Sequence, residues 1–353
     1  MPLRSGGSIG LDIGTSAVRA ARVVSSKNGH SLAAFGQVAL PTGAVTDGEI
    51  RDPGAVSEAI AQLWKRARLG SKKAVIGVAN QRVVVRQVEL PYLDEAEFRK
   101  SLRFQVADHI PMPVEAAELD FQILDDFVAD NEDHMMRVLL VAAATEMIET
   151  FVGVTADAGV RPDGVDLAPF AAARAVSPAA RGETGIAGAE AVVDVGAGVT
   201  NIIVHNNAEP RFVRILPLGG DDPTEALAEH LGISLDEAEA LKLDLGRGVG
   251  SAESQRVLRT RVANLVEEIR GSLDYYSSQE DSEPIASVIL TGGGSLTPGL
   301  LEQLEETLRI EVQRAAPLAE LDVSRSGLAE EQLSQIEPVI ATAVGLATGD
   351  GSK

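Results

Sequence analysis

Short apolar runs broken by acidic, glycine-bearing turns set the rhythm of this chain. Residues 8–13 form a mostly apolar run, Asp12 to Ser16 a tight polar turn, and a second apolar run begins near Ala17. That pattern predicts two strands joined as a hairpin. The plan recurs at 191–204: an apolar strand, Asp194, Gly196, Gly198, Thr200, then a second apolar strand. The two aspartates lie about half the chain apart, the spacing of a duplicated domain. A third glycine-rich turn follows at 287–300, where an apolar strand runs into Gly292-Gly293-Gly294 and a helix is expected close to Thr297-Pro298.

Between these turns the periodicity alternates. Residues 31–40, closed by Pro41, predict a third strand and so a meander. Asp52-Pro53 caps a helix through Trp64 and Arg68, with Val56, Ile60, Leu63 and Ala67 on one face. Residues 73–79 predict a buried strand. From Arg82 to about Val160 the order is strand (83–90), helix (94–108), two strands (119–126 and 136–144) paired across the polar loop 130–133, and helix (145–158). This is a compact inserted α+β unit. On its first helix Phe98, Leu102 and Val106 recur every fourth residue, while Arg99, Lys100 and Arg103 sit off that stripe. Residues 164–175 predict a strand end and a helix, and 178–188, rich in Gly, Pro and Ala, a flexible linker. Later come a strand at 211–218 and helices at 224–231, 235–243 and 254–279, with a capping box at Ser234–Glu237. A helix to Leu308, a polar segment and a small-residue helix at 337–347 complete the reading.

Composition narrows the options. At 353 residues the chain suits two subdivided lobes rather than one core. Only 3% of residues are aromatic, so Ala, Val, Leu and Ile must build the interior. With zero cysteines there is no disulfide or thiolate chemistry, which fits a reducing cytoplasm. Five scattered histidines give no zinc-type spacing. A formal charge of −21 argues against nucleic-acid or anionic-lipid binding and favours basic partners. No apolar run approaches the roughly 20 residues of a membrane span, and residues 1–7 read as a tail without a signal peptide's apolar core.

The turns supply the candidate chemistry. Gly14 lets backbone approach a ligand with no Cβ in the way, and Thr15 and Ser16 offer hydroxyls and successive N–H groups that suit phosphate oxygens. Asp12 is placed to hold, through water, the Mg²⁺ that accompanies a nucleotide. Taken alone, the stretch equally suits a buried hairpin with an acidic turn; the second copy tips the balance. Gly219-Gly220 before a helix is a further place where backbone can reach phosphate or ribose, and Gly292–Gly294 can lie flat against adenine and its ribose.

Two Asp-x-Gly hairpins and then a strand–triple-glycine–helix junction, in this order, resemble the actin/Hsp70/hexokinase nucleotide-binding fold. The implied class is α/β, an actin-like ATPase fold with two lobes, each a mixed sheet flanked by helices. Closer still, the opening at 10–18, the Val88–Pro91 and Pro111-Met112-Pro113 segments of the insertion, the region from Gly219 to Lys242 and the ending at 338–345 resemble the PilM family of type IV pilus assembly. The FtsA cell-division family comes next, and the insertion is of the kind these two share. The units implied are a tail (1–7), a lobe-one core (8–81 and 161–187), the inserted subdomain (82–160), a lobe-two core (188–221 and 284–353) and a helical subdomain (222–283). The small-residue helices near Ala171 and at 337–347 would form the hinge.

The resemblance implies ATP between the lobes, its phosphates on Gly14, Thr15 and Ser16 and on Gly196, Ala197, Gly198 and Thr200. Mg²⁺ would sit near Asp12 and Asp194. The base would rest on Gly292, Gly293, Gly294 and Leu296, with Gly219, Gly220, Glu239 and Lys242 about the nucleoside. By themselves Glu239 and Lys242 are an ordinary solvated pair. Arg19 would reach phosphate or face solvent. Asp194 or Asp166 would position water, and because Asp166 is shorter than the Gln or Glu of polymerising actins, hydrolysis is expected to be slow or negligible. The partner implied is the N-terminal cytoplasmic peptide of a PilN-like bitopic membrane protein, received by Phe98, Leu102, Arg103, Val106 and the neighbouring strands. The plainer reading of that stripe is that it covers its own sheet. Other pilus platform proteins and self-association complete the implied partners, with no nucleic acid and no direct membrane insertion. The expected location is cytoplasmic, peripheral to the inner membrane through the partner.

Two rivals differ in what they need. A polymerising FtsA-like protein needs a C-terminal amphipathic helix, which the ending Thr348–Lys353 does not provide. A sugar-kinase-like enzyme needs a catalytic Asp in a lobe-one insertion, for which the sequence offers no convincing candidate.

Overall fold

A computed structural model describes residues 7–27, 29–129, 131–207 and 209–349. Most of the expected tail, Asp130 of the predicted polar loop and the ending at 350–353 lie outside these. The chain opens with an antiparallel meander, β1 (Ser8–Ile13), β2 (Ala17–Ser26) and β3 (Gly29–Ala39), in which Asp12 faces Arg19 across the strands. A small hairpin of β4 (Val45–Thr46) and β5 (Glu49–Ile50) follows, turning on Asp47 (φ 53°) and Gly48 (φ 73°). An Asp-Gly pair is what such a two-residue left-handed turn favours. The helix α1 (Pro53–Ala67) is capped by the Asp52 carboxylate, which accepts the Ala55 N–H at 3.0 Å, and it buries Val56, Ile60 and Leu63. The strand β6 (Lys73–Val78) then lies parallel to β1 on its other side.

The insertion folds as a three-stranded sheet from β7 (Val83–Pro91), β8 (Ala117–Val128) and β9 (His134–Ala144), with β9 in the middle. The helix α2 (Glu95–Gln105) lies on this sheet: Phe98, Leu102 and Val106 are buried among Leu90, Met136, Val138 and Leu140. Its apolar stripe is therefore spent within the subdomain and offers no surface to a peptide. Arg103, on the exposed side, donates to the Val114 carbonyl. The helix α3 (Thr145–Asp157), expected to belong to the insertion, instead buries Met147, Phe151 and Val154 in the lobe-one core. The insertion also touches lobe two, since the Gln87 side-chain amide donates to the Pro210 carbonyl at 2.9 Å and Arg137 lies 3.7 Å from Asp281.

The strand β10 (Arg161–Leu167) runs parallel to β6, and α4 (Ala168–Val176) follows it. Lobe two repeats the opening plan with β11 (Ala189–Val195), β12 (Thr200–Asn206) and β13 (Glu209–Leu216), where Asp194 faces Asn201. Three helices come next, α5 (Asp221–Leu231), α6 (Leu235–Gly246) and α7 (Ala252–Ser277). The strand β14 (Ile285–Thr291) is parallel to β11; α8 (Leu300–Leu308) and β15 (Glu311–Arg314) follow. The helix after the triple glycine starts three residues later than Thr297 because Gly299 (φ 82°) precedes its first turn. With the later strand β16 (Leu321–Asp322) at one edge, the two sheets run β10-β6-β1-β2-β3-β16 and β13-β12-β11-β14-β15, the same scheme read outward from the aspartate strands.

The polar segment after Leu308 is more ordered than its composition suggests. It supplies β15, the strand β16 (Leu321–Asp322) at the edge of lobe one beside β3, and the helix α9 (Glu330–Ile336). The last helix, α10 (Ala341–Thr348), packs Ala343, Val344 and Ala347 against Ala21, Val23 and Leu32 of lobe one. In exchange, α4 sets Ala173 against Val192 and Ile203 of lobe two. The two helices cross so closely that a Cβ on Gly345 would stand 1.7 Å from the Ala171 carbonyl oxygen. Among the described residues no helix is long and apolar enough to cross a membrane.

Gly345→Ala should therefore destabilise the protein by about 2–3 kcal/mol. Gly271→Ala, in α7 with nothing within 4 Å of the added methyl, should stabilise it by roughly 0.5–1 kcal/mol. Urea unfolding of the two variants beside the parent measures both, and equal midpoints would contradict the packing described.

Candidate functional site

The shared register of the two lobes brings their aspartate strands to one place. The turn after β1 closes with the Gly14 N–H donating to the Ala17 carbonyl at 3.1 Å, and the turn after β11 with Gly196 donating to Val199 at 2.8 Å. These turns face each other: a Cβ on Gly198 would lie 3.0 Å from the Thr15 hydroxyl. Between them opens a cleft of about 1010 Å³, its open mouth included.

The floor of the cleft is backbone. Gly220 and Asp221 donate their N–H groups to the carbonyls of Gly196 (2.9 Å) and Ala197 (2.8 Å), clamping the start of α5 onto the second hairpin turn. Gly292, at φ 86°, ends β14 where any Cβ would fall 2.2 Å from the Val195 carbonyl oxygen. Only glycine gives both that backbone angle and that approach. Lys242, buried on α6, directs its ammonium at the Gly220 carbonyl (2.7 Å), the Thr224 hydroxyl (2.8 Å) and the Glu239 carboxylate (2.7 Å). Its three donors are thus all used, and they prop the glycine turn from behind.

The charges at the centre are poorly solvated. Burial pushes the Asp12 carboxyl up from 3.8 to about 6, an effect Arg19 opposes and Asp194 reinforces. Arg19 lies 3.7 Å away, and the two side chains keep only 15% and 19% of their surface. Burial also raises Asp194, against hydrogen bonds from the Asn201 amide and the Thr342 hydroxyl, each at 3.3 Å. Around this pair, Arg19 Nε, Asn201 Oδ1 and Thr291 Oγ1 are buried without a hydrogen-bond partner. Buried polar atoms left so cost about 1–3 kcal/mol each, a cost that a polar ligand reaching them would relieve. Asp221, also on the lining, is raised by burial, with Lys242 lowering it and Glu239 and Asp222 raising it.

The structure brings Asp12, Gly14, Thr15, Ser16 and Arg19 to the cleft from lobe one, and Asp194, Gly196, Ala197, Gly220, Glu239, Lys242 and Gly292–Gly294 from lobe two. Other expected residues stand apart. Thr200 is fully buried and donates to the Leu218 carbonyl at 2.8 Å, bracing the strand behind the turn. Gly219 packs against the Ala197 carbonyl, and Leu296 is an exposed side chain of the turn after Gly292. Asp166 is not on the cleft at all: it pairs with Arg174 and lines a second cavity.

Sequence reasoning passed over Asn201, Asp221, Thr342, Val45 and Gly48, all on the cleft. Asn201 was recoverable as the pseudo-symmetric counterpart of Arg19, and Gly48 from the Asp-Gly dipeptide. Thr342 reaches Asp194 only because α10 returns across the lobes, which no local pattern reveals.

The second cavity, about 1540 Å³ with its open mouth included, lies between β8 and β9 of the insertion, β6 and β10 of lobe one, and the crossed helices. Leu119, Phe121, Leu139, Val165, Phe170 and Leu346 make it apolar; its charged residues are Glu118, Asp120, Asp166 and Arg174, the last two paired, so its polar part is net acidic.

The family profile described as Type IV pilus assembly protein PilM matches residues 10–349. Cell division protein FtsA of Bacillus subtilis is 23% identical over 88% of this chain and 78% of its own length. The chain in the solved PilM-PilN type IV pilus biogenesis complex is similar with a TM-score of 0.84 and 30% identity, covering 97% of both chains. MreB5 of Spiroplasma citri bound to ADP shares the fold at a TM-score of 0.51 and 12% identity, over 89% of this chain and 92% of that one.

Because Asp12 holds its proton more tightly folded than unfolded, stability falls as pH rises from 3.8 to about 6, and the deficit persists above that. The difference corresponds to at most about 3 kcal/mol. Asp12→Asn should therefore raise the melting temperature of the ligand-free protein at pH 8 and give a vanishing gain near pH 4. Thermal melts across that range check this; a loss of stability at pH 8 would show that Arg19 already neutralises the carboxylate.

Proposed function

The chain belongs to the PilM family of type IV pilus assembly proteins, and on that premise we propose that it binds Mg·ATP between its lobes and the N-terminal tail of a PilN-like membrane protein in the groove behind them. One observation carries the nucleotide half: the turns bearing Gly14–Ser16 and Gly196–Gly198 meet across a single cleft, each beside a buried aspartate. The donor set fits the ligand. The Gly14 and Gly196 N–H groups close their own turns, and the N–H groups that follow them, with the Thr15 and Ser16 hydroxyls, suit phosphate oxygens, while Gly292–Gly294 leave a flat backbone surface for the nucleoside. Among the described residues no three His, Cys, Asp or Glu side chains gather as a metal cage. The carboxylates of Asp12 and Asp194 suit Mg²⁺, which keeps several waters and takes the rest of its shell from phosphate. When bound, the ion and triphosphate would supply phosphoryl-transfer chemistry; Asp12 and Asp194 would hold the ion through water, and Arg19 would stand beside the phosphates.

Of the two expected water-positioning residues only Asp194 lines the cleft, and Asn201 and Thr342 both donate to its Oδ2. Asp166 is held by Arg174 elsewhere. The protein is accordingly a slow ATPase at most, with nucleotide setting the angle of the lobes.

For the partner, the apolar stripe of α2 is buried, whereas the second cavity is apolar within and net acidic in its polar part. A short tail with apolar side chains and a few basic ones fits that chemistry. Such a partner would station the protein at the inner membrane.

Calorimetry with Mg·ATP, and a pull-down from membranes with and without ATP, test both halves. A single-pass protein with a short cytoplasmic N-terminus should be retained, and Leu119→Arg should cut its recovery at least tenfold while ATP still binds. Retention unchanged in that variant would move the partner to another surface; no calorimetric signal with ATP would overturn the nucleotide half.

A further inference from the structure

The cleft and the groove share two walls. The helix α4 gives Ala168 to the cleft and Phe170 and Arg174 to the groove; α10 gives Ala341 and Thr342 to the cleft and Leu346 and Gly349 to the groove. Each helix is short, with 9 and 8 residues, so each reaches from one cavity to the other. Both ends are tied by polar contacts. At the cleft the Thr342 hydroxyl donates to the Asp194 carboxylate at 3.3 Å. At the groove Arg174 donates its Nε–H to the Gly345 carbonyl at 3.3 Å and pairs with Asp166.

Between those ends there is no room for give. A Cβ on Gly345 would meet the Ala171 carbonyl, and one on Gly77 of β6 would lie 2.8 Å from Leu346. Interiors packed this tightly shift as bodies between discrete arrangements instead of bending continuously. A displacement of Asp194 is therefore passed along α10 to Leu346 and Gly349, and a displacement of Arg174 is passed to α10 through Gly345.

We infer that occupancy of the cleft and occupancy of the groove are thermodynamically coupled through the α4–α10 pair, with Arg174 as a positioning residue at the groove end. The inference rests on the nucleotide-and-peptide reading above. By linkage, whatever factor an occupant of the groove applies to nucleotide affinity, nucleotide applies to that occupant.

The test uses the full chain and the non-hydrolysable analogue AMPPNP with Mg²⁺. Calorimetry first establishes binding; hydrogen exchange then maps its reach. Coupling predicts altered exchange in the cleft turns at 10–20 and 192–200 and also at 117–122 and 345–349, which line the groove. It also predicts that Arg174→Gln, whose side chain is not on the cleft, changes AMPPNP affinity about fivefold or more, with Arg174→Lys closer to the parent. Binding with exchange confined to the cleft turns, and Arg174→Gln binding as the parent does, overturns the coupling and leaves the nucleotide reading intact. Absence of binding in calorimetry overturns that reading and the coupling with it. Should Arg174→Gln fail to fold, the exchange pattern of the unmodified chain decides alone.

Discussion

Where α10 crosses α4, backbone rests on backbone, and the relation of the two lobes depends on that contact. Gly345 can lie against the Ala171 carbonyl only because it carries no side chain. The helix α4 follows the strands of lobe one and packs on the sheet of lobe two, whereas α10 packs on the sheet of lobe one and reaches Asp194 of lobe two, so the lobes are interlocked as well as joined. A bulkier residue at the crossing would part the helices, and with them the two hairpin turns that meet at Thr15 and Gly198. The chemistry of the cleft is thus fixed by a contact between side-chain-free backbone segments beside it.

That geometry carries an electrostatic cost, and the two hairpins meet it with different residues. Asp12 and Asp194 face one another with little water to screen them, and each is raised by its burial. At the same register, lobe one places Arg19 and lobe two Asn201. Arginines at both positions would neutralise the pair outright; amides at both would leave two uncompensated buried charges. One of each leaves the centre net acidic at tolerable cost, the state to which a divalent cation is the natural complement. The partnerless Asn201 Oδ1 and Thr291 Oγ1 lie in the same shell.

What the sequence disclosed and what it withheld divide along physical lines. The hairpins, the triple glycine and the caps at Asp52 and Ser234 were legible because each is a local bargain between a turn's backbone angles and the residues able to adopt them. The duplication was legible because it repeats such a bargain. Placements set by long-range packing were not. The Phe98–Leu102–Val106 stripe announced an apolar face, but periodicity says only that a face is buried, and here its own sheet buries it. Asp166 looked poised at a helix start, yet Arg174, further along that same helix, claims it. The groove itself is assembled from five segments scattered between Val75 and Gly349, so no stretch of chain could have advertised it.

These placements bear on what a bound nucleotide would do. Turning over ATP requires a polar group free to orient a water at the terminal phosphate. Here Asp166 is engaged, and Asp194 receives hydrogen bonds at its Oδ2 from Asn201 on the neighbouring strand and from Thr342 on α10. Through Thr342 the Asp194 carboxylate is linked to α10, so a ligand beside that carboxylate would bear on the helix. On the proposed reading, ligand binding is then spent on the relation between the lobes, and the groove, built partly from the same helix, is where that relation becomes a surface another chain can recognise.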